Sequence, residues 1–230
     1  MQPQPAAFSP LADGFAFTNS WPSAPAVSVP TSLGSIGIGN AAAGLCGGMV
    51  FAALDYWLAG KPPPPDRPAP GTPLYQFIVQ RLITSWHIPV GVAEFYLWMN
   101  LPEGDASVTI LGHTFVAERG LSSRTIEQQW PAIKSSLDAG VPVPLGLVTV
   151  ASASPGDLVH NHQVLACSYQ AAGPQVTIGV YDPNSGQNDG VHIQFDTSNP
   201  SQATRFENNI DINWPVRGFF RIAYSPVTPP

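Results

Sequence analysis

Cys46, His162 and Asp182 follow one another along the chain as a thiol, an imidazole and a carboxylate. Those three types together can run nucleophilic acyl transfer, with nucleophile, base and orienting group. Around the thiol, Leu45-Cys46-Gly47-Gly48-Met49 opens an apolar run at helical spacing that continues to Trp57. A cysteine in the first turn of a helix meets unsatisfied backbone N–H groups and the positive end of the helix dipole. Both favour thiolate over thiol and so make a nucleophile. The two glycines beside it are unexpected, because each costs a helix about 1 kcal/mol relative to alanine. Room for a substrate backbone to approach the sulfur would account for them. A small buried cysteine that merely packs the helix is the competing reading.

The run from His162 to Tyr169 alternates as a strand would. It puts Val164, Ala166 and Ser168 on the histidine's face and Gln163, Leu165 and Cys167 on the other. A histidine at a strand edge facing a cleft can serve as base for Cys46, whereas Cys167 reads as core. Asp182 closes the next run, Gly179-Val180-Tyr181-Asp182, with Asn184 close behind. A carboxylate or amide there can hold the imidazole in position. His160 and His162 would share a strand face and, with Asp182, could bind zinc. That arrangement leaves Cys46 without a part.

Cysteine on a helix, histidine on a strand and Asp on the following strand resembles, in that order, the papain-like cysteine peptidase superfamily. Asn161 to Tyr169 (NHQVLACSY) is similar to the family's strand pattern of a His, small and apolar residues and a closing Gly-Tyr, here Ser168-Tyr169. Gly44 to Met49 (GLCGGM) resembles the shorter Cys-Gly signature of bacterial members that process bacteriocin leaders. The resemblance touches residues 40–59 and 157–184. It implies a thiolate–imidazolium pair of Cys46 and His162, with Asp182 fixing the ring. Papain relatives carry a Gln six residues before the cysteine that completes the oxyanion hole; Asn40 stands at that place here. The implied activity is hydrolysis or transfer at an amide or peptide bond of a peptide or protein substrate, with neither cofactor nor metal. A papain-fold binding or structural protein without catalysis is the alternative. Two departures stand out: Gly-Gly-Met follows the cysteine, and the orienting position carries Asp rather than Asn. Asn19-Ser20-Trp21 resembles the tripeptide that begins with the papain orienting Asn, but it precedes the cysteine. That order makes it a chance match.

The elements that must position these residues divide by period. Residues 1–39 are rich in Pro, Ser, Gly and Ala and predict an extended arm, anchored by Phe15, Phe17 and Trp21. Residues 40–230 form the expected hydrolase domain. Its first half predicts helices over 45–59, 72–86, 91–101 and 123–140, the second reached through a polyproline-type connector, Lys61 to Gly71. A hairpin is expected within Ser107–Glu118. Beyond Gly140 the period changes to strands, over 143–150, 160–170, 175–182, 191–196 and 218–224. Helices followed by antiparallel strands define an α+β class. With the resemblance, that means a helical lobe whose nucleophile helix packs on a C-terminal antiparallel sheet or half-barrel.

Composition narrows the partners. Only 10% of residues are charged, the net charge is −6, and nine Lys and Arg are scattered without a basic stripe, which argues against nucleic acid. The long uncharged run from Gly14 to Leu54 is Ser, Pro, Gly and Ala rather than aliphatic, so no membrane span is expected. The N-terminus lacks a basic stretch followed by an apolar one, so a cytoplasmic protein, or export without a signal peptide, is expected. Two cysteines make no disulfide framework.

Overall fold

The computed structural model describes residues 7–21, 27–31, 34–38, 44–86, 90–110 and 113–230. A short helix α1 (Pro10–Asp13), capped by the Ser9 hydroxyl, precedes a hairpin of β1 (Val27–Thr31) and β2 (Gly34–Ile38). The region expected to be an extended arm therefore carries regular structure. Its aromatic anchors do pack as expected. Phe15 and Phe17 lie 4.9 Å apart, Phe17 meets Trp21 at 5.9 Å, and Trp21 meets Tyr75 at 5.2 Å. Phe8, Phe15, Phe17 and Trp21 belong to the same buried cluster as the helix that begins at Cys46.

That helix, α2 (Cys46–Leu58), carries a single charged residue, Asp55, and Cys46 through Trp57 are all buried. A helix without a polar face belongs in the centre of a protein, and the rest is built around it. Its end is set by Gly60, whose φ of +64° lets Lys61 N–H turn back to the Tyr56 carbonyl. Lys61 to Gly71 then runs without helix or strand, as its prolines dictate, to α3 (Pro73–Ser85), which lies along α2. α4 (Val90–Met99) follows, then the hairpin β3 (Ala106–Ile110) and β4 (His113–Glu118).

The helix expected over 123–140 is a composite: α5 (Leu121–Ser123), a π-helical stretch (Arg124–Gln129) and α6 (Trp130–Asp138). Pro131 sits in the first turn of α6. Having no N–H, it cannot continue an i to i−4 ladder, and the widened turn before it removes the conflict.

The strand half forms one antiparallel six-stranded sheet curled into a half-barrel. Its members are β5 (Val143–Val148), β6 (His162–Ala172), β7 (Gln175–Tyr181), β8 (His192–Asp196), β9 (Glu207–Asn208) and β10 (Gly218–Arg221), in the order β10-β5-β6-β7-β8-β9. Alternation sorts its two faces. Leu165 joins the α2 cluster, whereas Val164 and Ala166 join a second core with Trp130, Ile133 and Phe219 behind the sheet. The expected alternation fails at Ser168, because the β6–β7 register slips between Ala166 and Ser168. The molecule is thus mixed α and β, with α2 on one face of the sheet and α6 on the other. No helix among the described residues is long and apolar enough to cross a membrane.

Candidate active site

Cys46 is the first residue of α2, and the N-cap Leu45 makes no side-chain capping bond. The side chain thus starts from the end of the helix that carries unsatisfied N–H groups and the positive end of the dipole. The chain reaches this point through Gly44 at φ +51°, a left-handed conformation that favours glycine.

Gly47 and Gly48 have a different reason from the one the sequence suggests. A Cβ on Gly47 would lie 2.3 Å from Ser85 Oγ and 2.4 Å from Gln163 Oε1. One on Gly48 would lie 2.1 Å from the Ile78 carbonyl oxygen. The glycines let α2 press against α3 and β6. They make room for neighbouring elements rather than for substrate, and that close approach brings the helix start up to the first residue of β6.

That residue is His162, buried at the end of an interior strand of the sheet. Its Nε2 meets Asp182 Oδ1 at 2.7 Å. Asp182 is fully buried and further accepts from Asn184 N–H (3.0 Å), Ser185 Oγ (2.7 Å) and Asp211 N–H (3.2 Å). Such a saturated carboxylate holds its charge: burial pushes its pKa up, but His162 and these donors outweigh burial and bring it below the usual value. For His162 burial works against the charged ring. The Cys46 charge and side-chain hydrogen bond, with Asp182, outweigh it and push the pKa up to about 10. With Nε2 committed to Asp182, the ring's other nitrogen, Nδ1, is the one left to meet Cys46.

Cys46 and His162 both line an open cleft of about 630 Å³. The expected oxyanion residue, Asn40, lies outside the described residues. A different amide is in the cleft. Asn19 Oδ1 accepts the Leu45 N–H at 2.7 Å, and Asn19 Nδ2 donates to Asn184 Oδ1 at 3.0 Å. Its own N–H is held by the Pro183 carbonyl at 2.8 Å. Asn19 thus bridges Leu45, the residue before Cys46, to the loop that carries Asp182. Asn19 and Ser20 of the tripeptide set aside on sequence order line this cleft, although the place beside the imidazole is held by Asp182. Only the fold carries that information.

His160 is not on the strand. It ends a 3₁₀ helix (Pro155–His160), lies 3.7 Å from Asp157, and its ring meets Trp214 at 5.3 Å between centroids with the planes tilted by 51°. The shared strand face that the zinc reading required does not exist, and no group of three metal-binding side chains occurs among the described residues. Cys167 is partly buried against the α2 cluster, and loss of solvent around it raises its pKa.

No family model, no curated protein and no solved structure matches this chain. The site therefore has to be read from its own geometry.

Proposed function

We propose that this protein is a papain-like cysteine hydrolase that cleaves or transfers an amide or peptide bond through Cys46, His162 and Asp182. The observation that carries the reading is one buried histidine engaged on both sides. A helix-terminal thiol interacts with it on one side, and a fully hydrogen-bonded carboxylate lies 2.7 Å away on the other. The half-barrel packed on a central helix is the architecture that the family resemblance implies.

In this mechanism the Cys46 thiolate attacks the substrate carbonyl carbon, forming a C–S bond and a tetrahedral oxyanion. The donors this mechanism assigns to that oxygen are the N–H of Cys46 and the second Nδ2 hydrogen of Asn19, which lines the same cleft. Collapse of the intermediate expels the amine, which takes the proton from imidazolium His162. Water, or an amine in a transfer reaction, then attacks the thioester with neutral His162 as base. Asp182 orients the ring throughout.

The test is alkylation of Cys46 by iodoacetamide as a function of pH. Rapid labelling persists near pH 6, where an ordinary thiol is protonated, and His162→Ala abolishes that acid-side reactivity. A cysteine that labels only as an ordinary thiol would instead mark a catalytically silent binding protein.

A further inference from the structure

One wall of the cleft is a single loop, Asp211-Ile212-Asn213-Trp214, and all four residues line it. The loop is pinned at both ends. The Asp211 N–H donates to Asp182 Oδ2 at 3.2 Å and its carbonyl accepts from Asn184 Nδ2 at 2.7 Å. At the other end the Trp214 indole lies against the His160 ring. Trp214 is 47% exposed, while Trp21, Trp57, Trp98 and Trp130 are buried. A large aromatic face left open beside a nucleophile is a surface for something else to cover.

The charge on that wall has one sign. The Asp211 side chain is exposed, and its carboxylate takes no hydrogen bond or ion pair from the described residues. No Lys or Arg among the described residues lines the cleft; Arg67 meets it only at the Thr18 hydroxyl, 3.5 Å away. An indole face with a carboxylate three residues away suits a cation on an aliphatic stem. The head is attracted to the ring's negative face and to the carboxylate, and the stem covers apolar surface such as Ile212.

We infer that the Asp211–Trp214 wall is a binding subsite for a cationic side chain, arginine or lysine, of a peptide substrate. The inference rests on the hydrolase reading for the word substrate, but the subsite itself requires no reactivity at Cys46. Arginine gains most there, because its planar guanidinium stacks on an indole and still offers in-plane donors to a carboxylate.

The experiment uses the full chain carrying Cys46→Ala, so that binding is read without chemistry. It is titrated with acetyl-Ala-Arg-Ala-Ala-amide and with the same peptide carrying norleucine in place of arginine. The readout is the indole N–H resonance of Trp214, assigned by its loss in Trp214→Phe, together with Kd. The arginine peptide is expected to shift that resonance and to bind at least tenfold more tightly than the norleucine peptide. Adding Asp211→Asn should bring the two within about threefold by weakening only the arginine peptide, as loss of one charge partner would. Equal or tighter binding of the norleucine peptide overturns the inference. So does binding that leaves the Trp214 resonance unmoved, an arginine preference that survives Asp211→Asn, or no binding at all. Cys46 alkylation, measured separately, decides the hydrolase reading. A reactive Cys46 without arginine preference sinks only the subsite, and an inert Cys46 with that preference sinks only the hydrolase.

Discussion

At the scale of single residues, the charge on His162 is the quantity on which the site turns. Cys46 and Asp182 hold its pKa up at about 10 against the penalty of burial. Because folding raises this pKa, the protonated ring stabilises the fold. That contribution is complete below the ordinary value of 6.5 and is lost as the pH rises through about 10. The ring Cε1–H resonance of His162, followed by NMR, should therefore titrate far on the alkaline side. Cys46→Ser removes one source of the shift and should move the midpoint down; an unmoved midpoint would mean that the thiol and the ring are not coupled. Asn19 invites a second measurement. If its amide stabilises an oxyanion, Asn19→Ala should slow acylation by an amide or ester substrate about 10²–10³-fold. Alkylation by iodoacetamide forms no oxyanion and should change little. Equal slowing of both reactions would reduce Asn19 to a support for the Leu45 turn.

At the scale of elements, the contact of α2 with α3 and β6 decides whether Cys46 and His162 meet. Gly48→Ala would gain about 1 kcal/mol in helix propensity. It would also drive a methyl group to 2.1 Å from the Ile78 carbonyl oxygen, a backbone atom that cannot rotate away. Overpacking of this kind costs roughly 1–3 kcal/mol or more, so a net loss of thermal stability is expected in calorimetry, with slower Cys46 alkylation. Gly60→Ala is the control. It meets nothing within 4 Å and suffers only from its φ of +64°, a strain of about 1 kcal/mol, so it should leave Cys46 reactivity unchanged.

At the scale of the whole molecule, one buried ion pair ties the chain together. Asp55 on α2 and Arg81 on α3 meet at 2.7 Å, both nearly inaccessible. Asp55 also accepts from Tyr224 Oη (2.6 Å) and Val227 N–H (2.9 Å), and Arg81 donates to the Ser225 carbonyl (2.9 Å). The segment 224–227 is thereby fastened to the end of α2 far from Cys46. Asp55→Ala strands the Arg81 charge in the core, and breaking such a pair costs about 3–5 kcal/mol. Chemical denaturation should show that loss with little change in the slope. A loss below 1 kcal/mol would mean that water reaches the guanidinium.

What the sequence determined by itself is what local rules encode. The α2 helix, the proline-stiff connector, the β3–β4 hairpin and the five longer strands of the sheet could be read from period and turn chemistry, because periodicity is written into adjacent residues. The two-residue strand β9 (Glu207–Asn208) was too short to leave such a signal. Cys46, His162 and Asp182 were legible as residue types in a telling order, and the structure brings the three together. What only the tertiary structure decided are relations between residues far apart in the chain. Gly47 and Gly48 carry no mark of the α3 backbone and the Gln163 side chain pressed against them. Asn19 gives no hint in its own neighbourhood that it will face a helix start 26 positions later. Trp214 carries no local mark of the cleft along which the loop from Asp211 passes. Each depends on which surfaces the packed core leaves open, and that is a property of the folded chain as a whole.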